Sequence, residues 1–239
     1  MKVTYLDHMG TDLTVCNAAR VSFNKRSAWE IVPIGETEDD DMVFLSDKDE
    51  KLIAYLARHN HWTPFAHPQV QLHFKAPIFV ARQLEKHQVG MVWNEVSRRY
   101  VDSEPEFYWP DKWRGRPVDK KQGSSGVVEE LTHEEGREDL WGDLDNKWHP
   151  TLHIQYDIGQ VALDRYHWLL SSGVSPEQAR MILPQNTFTE WYWTGSLAAW
   201  ARVYNLRIKE DTQEETREIA KQIGEIIVQL FPVSWLALT

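Results

Sequence analysis

At 239 residues with 42% apolar side chains, the chain is long enough to bury roughly 70% of its unfolded surface, so one compact domain needs no disulfide or metal staple. A formal net charge of -10 argues against a general nucleic-acid or membrane-surface role, because such binding needs a net basic face. The single cysteine, Cys16, excludes an internal disulfide framework and any CxxC redox or metal motif and fits a reducing, cytoplasmic setting.

The opening MKVTYLDHMG has no signal-peptide profile, and no run approaches the roughly 20 apolar residues of a membrane span. Residues 2–6 read as an opening strand and Asp12 to Ala19 as a helix. The stretch from Asn24 to Met42, with Glu36, Glu38, Asp39, Asp40 and Asp41 clustered, reads as a solvated irregular loop. Ser46 or Asp47 caps a helix with Leu52, Ile53, Leu56 and Ala57 on its apolar face, ending near His59. Pro64 stops any helix through the next stretch and presents His61, Thr63 and His67 from a turn.

Val70, Leu72 and Phe74 alternate with Gln69, Gln71, His73 and Lys75, the period of a half-buried strand. After Pro77 a helix is expected to carry Arg82, Gln83, Lys86 and His87, with the i,i+4 pairs Arg82/Lys86 and Gln83/His87 on its surface. A turn at Val89-Gly90 leads to the polar cluster Asn94, Glu95, Ser97, Arg98 and Arg99. Residues 101–150 are rich in Pro, Gly and Ser and read as a long excursion with one short helix near Val127 to Glu135.

Thr151 to Ser172 reads as a helix with Ile154, Ile158, Val161, Leu169 and Leu170 near one face and Gly173 as its stop. Ser175 caps a short helix through Leu183 that carries Arg180. Thr187 to Trp193 reads as a strand, Ser196 to Leu206 and Thr212 to Leu230 as helices. The last has a box at Thr212 and Glu215 and an apolar stripe at Ile219, Ile223, Ile226 and Leu230. Most of the twelve Trp are expected in the core or a subunit interface.

Arg82, Lys86, Arg98, Arg99, Arg180, Arg202 and Arg207 interrupt structured stretches of an acidic chain. Guanidinium forks match phosphate bidentately, so a phosphorylated small molecule is the economical ligand. Pairing with the 36 acidic residues at the surface stays open for any single one. The histidines lack zinc-ligand spacing, and no metal site is expected. Neither a G-x-G-x-x-G nor a P-loop motif occurs, so a nucleotide cofactor needs another fold. No serine elbow occurs and Cys16 has no nearby histidine partner in sequence, which leaves the hard chemistry to a bound cofactor.

Five stretches in register are similar to motifs of the flavin-dependent thymidylate synthases. They are Ala19-Arg20-Val21-Ser22-Phe23, the His61-x-Thr63-Pro64-Phe65-x-His67 turn, the run from Ala76 through Gln83 with Asn94 to Tyr100, Ala179-Arg180-x-x-Leu183-Pro184, and Asn205-Leu206-Arg207. The family signature is Arg-His-Arg, seven residues, then Ser. Here Lys86-His87-Gln88 is followed by eight residues and Ser97, so both flanking arginines are replaced and one residue is added.

The resemblance implies an α+β fold, a single domain over 1–239 with a small, mostly antiparallel sheet covered by helices. It implies conversion of dUMP to dTMP with FAD, methylenetetrahydrofolate and NADPH, in a homotetramer whose sites are assembled between subunits. Ser22, His61, Thr63, Lys86, His87, Gln88 and Arg202 fall at flavin positions, the last where family side chains often differ. Gln83, Lys86, Glu95, Val96, Ser97, Arg99, Arg180 and Arg207 fall at dUMP positions. Arg207, His61 and Ser97 are the residues implied nearest the chemistry. The altered Lys86-His87-Gln88 motif leaves open another 5-substituted product, such as a hydroxymethyl pyrimidine nucleotide, and a non-catalytic nucleotide-binding protein stands as a further alternative.

Overall fold

Alternating apolar residues and a cluster of tryptophans dictate the centre of the architecture. In the computed structural model, which describes residues 1–33, 41–101, 103–119, 122–128 and 155–239, the strands β1 (Lys2–Met9), β4 (Gln69–Pro77), β5 (Met91–Glu95) and β8 (Phe188–Ser196) form a small antiparallel sheet in the order β1-β4-β8-β5. Two hairpins are separate from it: β2 (Glu30–Val32) with β3 (Met42–Phe44), and β6 (Arg114–Gly115) with β7 (Ser125–Val127). The helices are α1 (Asp12–Arg20), α2 (Asp47–Arg58), α3 (Ile78–Leu84), α4 (Val161–Ser171), α5 (Pro176–Ala179), α6 (Leu197–Arg207), α7 (Glu214–Leu230) and α8 (Pro232–Leu238). None of them is long and apolar enough to cross a membrane. The described residues gather into two compact units, Met1–Phe74 with Gln83–Asn94 and Trp191–Thr239, and Lys75–Arg82 with Glu95–Glu190.

In the first unit, burial alternates along β4 as its sequence requires, with Val70, Leu72 and Phe74 fully buried. Phe74 stacks on Trp191 at 5.0 Å and meets Trp193 and Trp200 edge-on or stacked, and Trp93 lies on Trp191 at 4.5 Å. Each such pair contributes about 0.5–1.5 kcal/mol beyond its burial. Trp200 donates its indole N–H to the Val70 carbonyl at 3.1 Å, so its one polar atom is satisfied inside the core. Helix α7 lays Ile219, Ile223 and Ile227 on the core at i,i+4 spacing, and Gly224 lets it come against the ring of Tyr204, where a Cβ would sit 2.6 Å from Cε2. Asp12 accepts the backbone N–H groups of Val233 and Ser234, both at 2.9 Å, and so fixes the first turn of α8.

Several sequence expectations are corrected. The 24–42 stretch contains β2, because Ile31 and Val32 pair with Val43 and Met42 across a hairpin. Of its acidic cluster, Glu36, Glu38, Asp39 and Asp40 lie outside the described residues. Residues Met91 to Glu95 form a strand despite Asn94 and Glu95, both solvent-facing. The helix expected from Val127 to Glu135 begins in β7, and 129–135 lie outside the described residues.

The expected helix from 151 is helical throughout its described part: a wider π-helical segment, Gln155–Gln160, runs directly into α4, while 151–154 are not among the described residues; Ile158 and Val161, expected on its apolar face, are exposed, and Tyr166 is its buried residue. The helix carrying Arg180 ends at Ala179 in a tighter turn, Arg180–Ile182, since Pro184 holds Leu183 extended. Thr212 does not cap α7: its hydroxyl donates to the Leu206 carbonyl at the end of α6, and the helix begins two residues later. The buried isoleucine on α7 is Ile227 in place of Ile226. Helix α8 was not expected.

The largest local commitment in the first unit is the carboxylate of Asp49 in α2, 3% exposed. It accepts from Arg20 Nε at 2.9 Å, Ser27 Oγ at 2.8 Å and Ser46 Oγ at 3.1 Å. Burial alone would raise its pKa, but these donors together hold it below the usual carboxylate range. Because the folded-state value is depressed, the stabilisation is present above the unfolded pKa and is lost as pH falls through the folded one. Asp49→Ala is expected to cost about 3 kcal/mol near neutral pH, since it strands Arg20. In thermal melts the gap between wild type and Asp49→Ala should narrow below about pH 4; a gap that stays constant with pH would show that the carboxylate charge is not what stabilises the fold.

Candidate functional site

The stretch between α3 and β5 is built by a competition for one carbonyl. A helix continuing past Leu84 would use the Gln83 carbonyl for the His87 N–H. Instead Arg207 Nη2 donates to that carbonyl at 2.8 Å, and His87 N–H bonds to Leu84. The helix therefore ends at Leu84, which corrects the expectation that Lys86 and His87 lie on it. A turn closed by Met91 N–H on the Gln88 carbonyl follows, with Gly90 at φ +75. Any Cβ at Gly90 would press on Ala199 and Ser196 at 3.3 Å. Arg202 Nη2 donates to the Val89 carbonyl at 2.6 Å and ties this turn to α6.

Arg207 makes a second bond that defines the chemistry here. Its Nε donates to His87 Nε2 at 3.0 Å. A ring nitrogen that accepts must be unprotonated, so the imidazole is neutral with its proton on Nδ1. Burial, then the cations Arg207 and Arg202, push the His87 pKa down to about 4. Burial also pulls Arg207 below the ordinary arginine range, yet a guanidinium stays charged in a protein. The Gln83 side chain is fixed in turn: its amide nitrogen donates to Gln213 and its oxygen accepts from Thr216 Oγ1 at 3.1 Å. Sequence reasoning missed Gln213 and Thr216. Their three-residue spacing at the head of α7 was the available signal, taken up instead by a cap at Thr212 and Glu215.

The other flavin candidates also lie in the first unit. Ser22 sits in the turn Val21–Phe23 directly after Arg20, the residue held by Asp49. His61 and Thr63 border the turn Thr63–Ala66, whose Pro64 and Phe65 are buried while both candidates are exposed. The His61 ring faces Tyr55 at 6.0 Å. Lys86, Gln88 and Arg202 are exposed. Cys16 is fully buried, and burial with the neighbouring Asp49 carboxylate pushes its thiol up to about 12. No thiolate is available there for nucleophilic attack.

The second unit has a cleft of about 210 Å³, with Glu95, Val96 and Arg180 among its lining residues. Thr189 Oγ1 donates to Glu95 Oε1 at 2.7 Å, orienting that carboxylate. Arg180 Nε donates to the Glu177 carbonyl at 3.2 Å, which leaves its terminal nitrogens for other acceptors. Lys75 lies between Glu106 at 2.6 Å and Glu190 at 3.7 Å, with the Phe188 ring beneath it. Ser97 and Arg99 are close by in sequence but do not line the cleft: Arg99 Nε donates to Ser97 Oγ at 3.1 Å and its guanidinium covers Tyr100. The structure thus gathers Gln83, His87 and Arg207 in the first unit and Glu95, Val96 and Arg180 in the second. Thr189 and Lys75 were not assigned from sequence; the alternation along β4 marked Lys75 as a polar position, while Thr189 lies on the buried face of β8 in phase with Trp191 and Trp193.

The His87–Arg207 bond makes a measurable demand on protonation. Ring-nitrogen NMR of His87 should show a neutral imidazole, protonated on Nδ1, down to about pH 4. Arg207→Ala should move the midpoint upward but not fully to the free-histidine value near 6.5, because burial remains. A wild-type midpoint near 6.5 would refute the bond as described.

The family described as "Thymidylate synthase complementing protein" matches residues 4–233. A flavin-dependent thymidylate synthase of Thermus thermophilus is 34% identical over 235 residues, covering 98% of this chain and 74% of that protein. One from Thermosipho africanus is 33% identical over 227 residues, covering 95% and 86%. Among solved structures, a UMP/dUMP methylase PolB from Streptomyces cacaoi bound with 5-Br dUMP superposes with a TM-score of 0.74 at 28% identity, over 99% of this chain and 93% of that one. A match that spans both units, with relatives above 30% identity along nearly the whole chain, places this protein in the flavin-dependent thymidylate synthase family.

Proposed function

We propose that this enzyme carries out the reductive methylation of dUMP to dTMP, with FAD as cofactor, methylenetetrahydrofolate as one-carbon donor and NADPH as reductant. The observation that carries the proposal is the family match across residues 4–233, and the locked Gln83–Arg207–His87 arrangement supports it. The residues present fit a flavin dinucleotide. Lys86 and Arg202 offer exposed positive charge to its diphosphate, and Ser22, His61, Thr63 and Gln88 offer exposed donors and acceptors for its rings and hydroxyls. Bound there, the flavin supplies hydride chemistry that no side chain of this chain provides.

The chain's own part is to bind and to polarise. Arg207, held by two bonds, presents a positive charge of fixed direction, which is suited to a uracil carbonyl as electron density builds on the ring. The neutral His87 keeps that guanidinium oriented without adding a second charge. Gln83, fixed by Gln213 and Thr216, presents its remaining amide N–H to a base or sugar oxygen. Glu95, oriented by Thr189, faces donors of the nucleotide, while Arg180 meets its phosphate, with Lys86, Val96, Ser97 and Arg99 completing the nucleotide set. Ser97 serves in this reading as a contact, not as a nucleophile, its oxygen already accepting from Arg99.

The reading includes a homotetramer in the cytoplasm, with no nucleic-acid or membrane partner. Exposed Val161, Trp168 and Met181 in the second unit support burial against other subunits, and the net charge of -10 speaks against a polyanionic partner. Because the structural neighbour is named for both UMP and dUMP, UMP is the competing acceptor, and methylation of UMP in preference to dUMP would contradict the proposal.

Mass spectrometry of the nucleotide after incubation with FAD, NADPH and methylenetetrahydrofolate should show dTMP from dUMP; a hydroxymethyl product, or no product, would contradict the proposal. Arg207→Ala should lower kcat/KM at least about 100-fold with far-UV dichroism unchanged, whereas a collapsed melting temperature would recast Arg207 as structural. Ser97→Ala should keep turnover and weaken dUMP binding, and complete loss of turnover would restore a nucleophilic role.

A further inference from the structure

We infer that Asn17, Ser27 and Asp49 form a positioning clamp that holds the turn carrying Ser22 in one conformation and, through that serine, strengthens flavin binding. The inference rests on the proposed place of Ser22 at the flavin. All of these residues belong to the first unit.

The chain leaves α1 at Arg20 and returns to the same carboxylate at Ser27. Asp49 Oδ1 accepts from Arg20 Nε at 2.9 Å and from Ser27 Oγ at 2.8 Å, so one carboxylate oxygen holds both ends of the segment. The Asn17 side chain closes it a second time. Its Oδ1 accepts the Ser27 N–H at 2.7 Å and its Nδ2 donates to the Ser27 carbonyl at 3.2 Å, satisfying both backbone groups as a neighbouring strand would. Inside these ties, Asn24 N–H bonds to the Val21 carbonyl and Lys25 N–H to the Arg20 carbonyl, with Asn24 at φ +52, a left-handed conformation that asparagine tolerates.

What the clamp holds has little packing of its own. Every residue from Val21 to Arg26 is exposed, Phe23 at 76%. Ordering such a segment costs backbone entropy that burial of its own side chains does not offset. The order is imposed from outside, by the buried Asp49 carboxylate and the Asn17 amide. A segment fixed in this way while its side chains face solvent suits presentation to a ligand, because the freedom is already lost in the free protein and binding at Ser22 forfeits less. The Arg20–Asp49 pair also joins α1 to α2, whereas the side-chain bonds of Ser27 and Asn17 close the turn. Loosening those two leaves Ser22 exposed but unfixed.

Equilibrium dialysis of the full-length protein, stripped of flavin, against FAD tests this through a double-mutant cycle. Ser27→Ala, Asn17→Ala and Ser22→Ala should each weaken FAD binding about tenfold, and Ser27→Thr, which keeps the hydroxyl, should recover most of the loss. Because the clamp acts through Ser22, adding Ser27→Ala to Ser22→Ala should weaken binding no further, an outcome that general destabilisation does not give. Amide hydrogen exchange over 21–26 in the flavin-free protein should be faster in Ser27→Ala than in wild type. Additive losses, or wild-type FAD affinity in both Ser27→Ala and Asn17→Ala, would overturn the clamp and leave the flavin reading intact. FAD affinity unchanged by Ser22→Ala would overturn the place of that serine and the clamp with it, and a wild-type protein that takes up no FAD would overturn the flavin reading as well.

Discussion

The bond from Arg207 Nε to a neutral His87 is the constraint on which the rest of the first unit's functional surface depends. A guanidinium beside an imidazole is repulsive unless the ring is uncharged, and partial burial of both groups enforces that state. The same arginine takes the Gln83 carbonyl from the helical ladder. One side chain at the end of α6 thereby ends α3 and directs the polar turn toward solvent. Gln213 and Thr216 complete the arrangement by fixing the Gln83 amide, so the start of α7 is part of the site's support.

Rigidity under this arrangement comes from the aromatic stack of Phe74, Trp93, Trp191, Trp193 and Trp200. These residues hold β4, β5 and β8 and seat α6, whose last turn carries Arg207. The second unit works by electrostatic sorting instead. Its carboxylates are matched to Lys75, His167 and Thr189 while its arginines are steered by carbonyls.

Much of this was legible in the sequence where a single period governs burial. The alternation in β4 and the Ser46 cap of α2, whose Oγ accepts from Asp49 N–H, are local signals and survive folding unchanged. The end of α3 was not legible, because the group that terminates it lies 124 residues away in sequence. Nor was the start of α7, where the Thr212 hydroxyl bonds back to α6. The motifs pointed to the correct family. They did not reveal which of two adjacent arginines faces the cleft, because neighbouring residues in the turn after β5 point in different directions and only the tertiary structure separates Arg98 from Arg99.

The proposed function turns on a bound flavin that carries reducing equivalents from NADPH into the methylation of dUMP. The most direct measurement is the visible flavin absorbance under anaerobic conditions, after stoichiometric NADPH and then dUMP with methylenetetrahydrofolate. The account predicts bleaching by NADPH and recovery of the oxidised spectrum only when both dUMP and the folate are present. A protein that takes up no flavin, or whose bleached spectrum does not recover with both added, would contradict it.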